Sequence, residues 1–360
     1  MESNDFASRR GERPLVLLTG PEGLIGGRII ERLTGACSMV GFDRPPSPHD
    51  GEHIDYVQVD LTNAEEIDAA FRYLRQHHGS HIASVIHLAA YYDFKGEPSP
   101  LYEQLTIQGT RRILRHLQHF EVEQFVFSSS LLVMEPSEPG KLINESSPTL
   151  ATWDYPQSKL DAEEVIREER GKIPAVILRI AGVYDENGHS IPVGQQITRI
   201  YEKQLESYLF PGNADHGQAF VHLTDLAECF AKVIEHRRTL GDYEVFLISE
   251  PDVMSYDDLQ EAIGEELHGY EWPTIRIPKF VAKAGAWVKD KMASEDDPAF
   301  IKPWMIDLAD QHLAVDIGKA RTRLGWNPSR SLRETLPELL RRLKQDPKGW
   351  YERNGFVFPK

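Results

Sequence analysis

The sequence predicts an α/β fold: a doubly wound parallel sheet joined to a smaller, mostly helical C-terminal lobe. Three observations carry this. Short β-branched, apolar runs alternate with longer segments of helical periodicity through residues 14–185. The runs are apolar at consecutive positions, as parallel strands covered on both faces must be. The first run leads through Gly20, Gly23 and Gly26 into a helical pattern, the order strand, tight turn, helix.

Taken in order, "PLVLLTG" (14–20), "SMVGFD" (38–43), "YVQVD" (56–60), "SVIHLAA" (84–90), "QFVFSSS" (124–130) and "AVILRIAGVY" (175–184) read as strands. Between them "LIGGRIIERL", "AEEIDAAFRYLRQHH", "LYEQLTIQGTRRILRHLQHF" and "QSKLDAEEVIREER" carry apolar residues every three or four positions and read as helices. Beyond residue 185 the rhythm loosens. Turn-rich "DENGHSIPVGQQ" and "FPGNADHGQ" are followed by helical patterns near 224–237, 255–268, 279–292 and 331–345. The expected division is a polar tail over 1–13, a nucleotide-binding domain over 14–185 and a substrate lobe over 186–350. Segments near 215–245 are expected to return to the sheet.

Bulk composition excludes several classes. Lys plus Arg number 40 against 56 Asp plus Glu, a net charge of −16, which opposes binding to nucleic-acid phosphates. Two cysteines, Cys37 and Cys229, with no CxxC pair, offer neither a disulfide framework nor a thiolate metal site. No apolar run reaches the ~18 residues of a membrane span, and the arginines near the N-terminus precede no apolar stretch. The expectation is a cytoplasmic protein with no stable membrane insertion and no resident metal.

The glycines have distinct physical uses. One permits the tight turn, one lets a pyrophosphate approach the backbone, and one lets helix and strand pack closely. The helix N-terminus beyond them, with Leu24 and Ile25, offers free amides and a positive dipole end to the phosphates. Asp43, closing the next strand, is placed to accept hydrogen bonds from the adenosine ribose. That favours NAD, although adjacent Arg44 would let the site accept NADP.

The spacing G-x-x-G-x-x-G resembles that of the extended short-chain dehydrogenase/reductases, and further segments of that family follow in order. "VDL" (59–61) matches the adenine-contacting segment through Asp60 and Leu61. "HLAA" (87–90) matches the strand end beneath the nicotinamide ribose, with Leu88, Ala89 and Ala90. "FSSS" (127–130) ends on the active-site serine position, Ser130, with Leu131 beside it. "YPQSK" (155–159) is Y-x-x-x-K. "LRIAGVY", "FVHLTDLA" and "LGWNPSRSL" resemble later family segments and add Ile180, Gly182 and Val183. The resemblance covers residues 14–345 and is to the NAD-dependent epimerase/dehydratase branch. It implies a Rossmann domain, an NAD(P) cofactor, a small-molecule substrate, and a homodimer through the helices holding 101–119 and 156–170 as one assembly, the oligomeric state staying open.

The chemistry needs these residue types. Hydride transfer at the nicotinamide requires a proton to move at the substrate oxygen. A tyrosine hydroxyl, with a pKa of ~10, serves as base only where positive charge stabilises its phenolate. Lys159, four residues after Tyr155, projects from the same helical face and supplies that charge. Ser130 can hold the substrate oxygen near Tyr155. Pro156 sets Tyr155 on the first helical turn.

Some positions depart from the family pattern. Thr106 stands for an asparagine, Met134 and Glu135 for Tyr-Gly, Gly182 for a substrate-holding asparagine, and Gln218 for an arginine on the substrate diphosphate. A diphosphate needs charge-assisted donors, so nucleotide-sugar chemistry is the weaker expectation. "HLAAYYDF" is similar to the hydroxysteroid-dehydrogenase-like and dihydroflavonol-reductase-like relatives, with Tyr91, Tyr92 and Phe94 at the substrate mouth or packing as plain aromatics. His77, His78 and His81 suit a helix C-terminus better than a metal, and His222 reads as structural. "PKFVAKAGAWVKDKM" (278–292), with Phe280, Ala284, Trp287 and Val288 on one side, reads as a helix covering the pocket or one lying on a membrane surface. The leading expectation is an NAD(P)-dependent oxidoreductase acting on a secondary alcohol or ketone. A nucleotide-sugar epimerase/dehydratase and a non-catalytic NAD(P)-binding module are the alternatives.

Overall fold

A computed structural model describes residues 13–44, 53–93, 96–292 and 302–359. Seven strands form one sheet: β1 Leu15–Thr19, β2 Ser38–Asp43, β3 Asp55–Gln58, β4 Ser84–His87, β5 Phe125–Ser130, β6 Ala175–Ile180 and β7 Tyr243–Ile248. Their order is β7-β6-β5-β4-β1-β2-β3, and every pairing is parallel. The order reverses between β1 and β4, which opens a crevice at the C-terminal ends of those strands, where ligands of such sheets sit.

The helices are α1 Leu24–Leu33, α2 Ala64–His78, α3 Gln108–Leu117, α4 Asp154–Glu169, α5 Ile191–Tyr201, α6 Leu223–Glu235, α7 Tyr256–His268, α8 Lys279–Met292, α9 Met305–Leu308, α10 Gly318–Leu324, α11 Leu332–Gln345 and α12 Pro347–Arg353. Alternation along each strand builds two cores. Val16, Leu18, Ile86, Val126 and Leu178 meet α1, α6 and α10 on one face. Leu15, Leu17, Val85, Phe125 and Ile177 meet α2, α3 and α4 on the other. A third core lies in the lobe, where Val193, Ile197, Ile263, Trp272, Leu339, Leu343 and Trp350 gather α5, α7, α11 and α12.

The structure corrects two expectations. The run 175–184 is two strands: after β6 the chain leaves the sheet, and Gly182–Tyr184 pairs instead with Phe220–His222. Residues 102–107 of the expected single helix form a π-helix that relaxes into α3. Beyond residue 185, α6 packs under the sheet beside α1 and β7 extends its edge. Tail residues 1–12 and Phe94 lie outside the described residues.

Candidate active site

The glycine loop is built as its sequence suggests. Gly20 has φ +76°, left-handed backbone that glycine alone adopts cheaply, and its amide donates to the Phe42 carbonyl at 3.0 Å. A Cβ on Gly26 would overlap the Gly20 carbonyl and lie 2.7 Å from Pro21 Cα, so that position admits only glycine. A Cβ on Gly23 would meet nothing closer than 3.4 Å. Gly23 caps α1 without a side-chain bond, and no acidic residue sits in the first turn. The amides of that turn thus face the crevice with room for an anion. At the tip of β2, the Asp43 carboxylate accepts from the amides of Glu22 at 3.2 Å and Arg44 at 2.8 Å, which fixes it beside the loop. The cradle therefore fits a dinucleotide's pyrophosphate and ribose.

A chain of buried hydrogen bonds sets the neighbouring strand end. The Ala89 amide donates to Thr19 Oγ1 at 3.2 Å, and the Thr19 hydroxyl meets His87 Nδ1 at 2.7 Å. His87 Nε2 meets Thr110 Oγ1 at 2.9 Å, whose hydroxyl donates to the Thr106 carbonyl at 2.6 Å. Because Thr110 spends its proton on Thr106, His87 must donate from Nε2 and accept at Nδ1. Burial first, and Lys159 second, push the His87 pKa down to about 3, so the imidazole is neutral. Thr106 Oγ1 accepts the Tyr91 amide at 3.0 Å, and this is the use found for the threonine in the asparagine position. Its place in the π-helix follows the tendency of such turns to occur at sites.

Tyr155 lies on the first turn of α4, capped by Trp153. Its hydroxyl is in hydrogen-bonding reach of Ser130, and burial pushes its pKa up to about 12 against that bond's opposing pull. Lys159 is buried; Nζ donates to the Ser128 carbonyl at 2.8 Å and lies 5.8 Å from the Tyr155 ring centroid. Burial pulls the Lys159 pKa down to about 7, partly offset by Glu163. Below them Arg179 and Glu163 form a bidentate pair at 2.7 and 3.1 Å. Glu163 also accepts from Ser129 at 2.5 Å, and Arg179 reaches the Met134 sulfur at 3.1 Å, which accounts for methionine there.

A cavity of about 1630 Å³ runs from the glycine loop past Tyr155 into the lobe. It is lined by Gly20, Gly23, Leu24, Ile25, Gly26, Asp43, Arg44 and Leu61, and then by Leu88, Ala89, Ala90, Ser130, Leu131, Tyr155, Lys159, Ile180, Gly182 and Val183. Two predicted residues lie elsewhere. The Asp60 carboxylate accepts the Thr62 amide at 2.8 Å and stays in its turn while Val59 and Leu61 line the cavity. Tyr91 packs edge-on against Tyr102, centroids 4.8 Å apart, because successive side chains of extended backbone point to opposite sides. Tyr92 faces the cavity instead and packs edge-on to Tyr155 at 4.8 Å.

The lobe side was poorly legible. Trp153 packs on Tyr155 at 5.5 Å and on Trp304 at 5.3 Å, and α5, α8 and α9 wall the chamber; only the nearness of Trp153 to Tyr155 in sequence hinted at this. Helix α8 faces the chamber through Val281, Ala284, Gly285 and Val288. Phe280 and Trp287, expected on that side, are 74% and 56% exposed, since a stripe through 281, 284, 285 and 288 leaves 280 and 287 on the flank. Gln218 lines the cavity and bonds Tyr256. A Cβ on Gly182 would lie 2.7 Å from the Phe220 ring, which explains glycine there. The histidines expected at a helix end diverge: His77 bonds the Tyr73 carbonyl, His78 Asp55 and His81 Glu123. His222 caps α6 through Thr224.

The family model described as "NAD dependent epimerase/dehydratase family" matches residues 16–249. The chain is 29% identical over 282 residues to human 3 beta-hydroxysteroid dehydrogenase type 7, covering 70% of this chain and 72% of that protein. It is 23% identical to the decarboxylating sterol-4-alpha-carboxylate 3-dehydrogenase of Candida albicans, over 92% and 98% of the two chains. With UDP-glucose 4-epimerase of Halalkalibacterium halodurans the identity is 25%, over 90% and 93%. The fold is also that of UDP-glucuronic acid 4-epimerase from Bacillus cereus, solved with UDP-glucuronic acid and NAD: TM-score 0.67, 18% identity, 92% and 99% coverage.

Proposed function

The chain belongs to the NAD-dependent epimerase/dehydratase family, and from that premise we propose that it is an NAD-dependent oxidoreductase of a secondary alcohol or ketone on a bulky apolar molecule of steroid size. The observation that carries the substrate class is the chamber beyond Tyr155. Its walls are Leu209, Phe210, Val281, Val288, Trp304 and Ile306, and Arg199 is the one lysine or arginine there among the described residues. A sugar nucleotide brings a diphosphate that needs several charge-assisted donors, and Gln218 stands where an arginine would serve it.

In this reading the loop Gly20–Gly26 holds the pyrophosphate, Asp43 the adenosine ribose, and Lys159 the nicotinamide ribose. NAD, when bound, supplies a hydride acceptor or donor and, oxidised, a positive charge. Tyr155 takes the proton from the substrate hydroxyl or returns it to the carbonyl oxygen, and Ser130 holds that oxygen by a hydrogen bond. With its pKa near 12, Tyr155 keeps its proton in the free protein; charge on Lys159 stabilises the phenolate that oxidation needs. The aromatic cluster Tyr92, Trp153 and Trp304 excludes water from the reacting face.

The test is NADH formation on a panel of hydroxysteroids by wild type and Tyr155→Phe. Turnover falls about a thousandfold in the variant while NAD binding stays intact. Full turnover in the variant, or interconversion of UDP-sugar epimers without net NADH, would falsify the reading.

A further inference from the structure

The turn that leads from Gly182–Tyr184 into α5 places His189 and Ser190 on the chamber wall. His189 has φ +41°, left-handed backbone that a residue with a side chain takes rarely. Bonds on two sides hold it there. Asp185 and Gly188 exchange backbone hydrogen bonds at 3.0 and 3.2 Å. Asn354, just beyond α12, accepts the His189 amide at 2.7 Å and donates to the Asn187 carbonyl at 2.8 Å. Backbone held in such a conformation by its surroundings concentrates at ligand sites. Asp185 aims the ring: its buried carboxylate lies 2.8 Å from His189 Nδ1. Burial pulls the Asp185 pKa up, but the bonds from His189 and Asn187 outweigh it and hold the carboxyl below its usual range. A carboxylate only accepts, so Nδ1 carries the proton and the neutral ring keeps a bare acceptor at Nε2.

Ser190, 5% exposed, does not cap α5 with its side chain. Neither its hydroxyl nor His189 Nε2 has a hydrogen-bond partner among the described residues. Other polar groups of the wall are engaged: Gln218 with Tyr256, Gln260 with Thr274 at 2.7 Å, and Glu206 with Arg199 through charge. An acceptor beside a hydroxyl complements a group that both donates and accepts. An alcohol gives its proton to Nε2 and accepts one from Ser190, whereas a ketone only accepts and leaves Nε2 unpaired. We propose that His189 and Ser190 form a second polar subsite that holds a substrate hydroxyl other than the oxygen reacting at Tyr155. The substrate is then an apolar molecule with two oxygen functions, the remote one an alcohol. This rests on the cavity being the chamber of an apolar alcohol or ketone, but it requires no turnover.

The test measures binding to the full chain carrying Tyr155→Phe and saturated with NAD, so that no probe is turned over. Two matched pairs differ only at the remote oxygen: 17β-hydroxy-5α-androstan-3-one with 5α-androstane-3,17-dione, and 10-hydroxyundecan-2-one with undecane-2,10-dione. The flexible chain of the second pair adapts to the span between the two subsites. Each hydroxyketone should bind about tenfold tighter than its dione. Ser190→Ala and His189→Asn, the latter compatible with positive φ, should each erase that preference and leave dione affinity unchanged. Asn354→Ala, outside the chamber, should erase part of it by releasing the His189 turn. Equal binding within both pairs, no binding of any probe, or a preference that survives both chamber variants overturns the proposal. Equal loss of hydroxyketone and dione in those variants marks a structural role and overturns it too. If the undecane pair shows the preference and neither steroid binds, the hydroxyl subsite stands and the steroid-sized substrate falls. Steroids that bind without preference, while the undecane pair shows none, leave the chamber reading and remove the subsite.

Discussion

Lys159 donates a 2.8 Å hydrogen bond to the carbonyl of Ser128, two residues before Ser130, the serine that ends the strand and faces Tyr155. The bond holds the ammonium in a buried pocket beneath the tyrosine, and burial pulls its pKa from 10.5 to about 7. Between those values the unfolded chain binds a proton that the folded chain does not, so stability rises with pH across that window. Lys159→Met removes the dependence. Urea melts at about pH 7 and about pH 9 should show wild type gaining on the variant at the higher pH; a constant difference between them would refute the burial argument.

Gly26 and Gly23 should fail differently when replaced by alanine. At Gly26 the new methyl strikes the Gly20 carbonyl and Pro21, backbone that cannot turn aside, so the protein loses about 1–3 kcal/mol of stability as well as NAD affinity. At Gly23 the nearest atom is 3.4 Å away. Gly23→Ala should melt within a few degrees of wild type and lose NAD affinity alone. Thermal melts with and without NAD separate the two, and equal loss of stability in both would contradict this division of labour.

Asp43→Asn keeps an acceptor for the Glu22 amide but removes the charge. NAD should weaken roughly tenfold, as bonds to a charged group are lost, while NADP gains because its 2′-phosphate no longer meets a carboxylate and finds Arg44 instead. Titrations of both cofactors check this, and an unchanged NAD to NADP preference would remove Asp43 from the ribose site.

Gly182→Asn, which restores the family's residue, should be poorly tolerated because the Phe220 ring fills the space at 2.7 Å. A cost of about 1–3 kcal/mol is expected, relieved in part by Phe220→Leu. Denaturation of the single and double variants forms the cycle; additive effects would show that the ring is not the obstacle.

Local pattern carried the Rossmann half. Leu15–Leu18 is apolar at four consecutive positions and belongs to a central strand covered on both faces; Gly20, Gly26 and Asp43 meet because consecutive strand–helix–strand connections leave them no other arrangement. The misreadings arose where a neighbour distant in sequence decided. Ala175–Ile180 continues in sequence to Tyr184, yet Phe220–His222 draws Gly182–Tyr184 into a separate pair. Tyr91 and Tyr92 are indistinguishable by composition, and Tyr102 in the π-helix decides which one turns from the cavity.

The sequence by itself determined the doubly wound sheet and the glycine turn, because each depends on periodicity or spacing within a few tens of residues; Ser130, Tyr155 and Lys159 were legible only through their resemblance to family segments. Only the tertiary structure decided what lies beyond Tyr155: that Trp153 packs on it and Trp304 on Trp153, that Val281 and Val288 rather than Phe280 and Trp287 wall the chamber, and that Arg199 and Glu206 both face it. Those contacts join helices far apart in the chain, and their energies come from packing and burial, which no local pattern encodes.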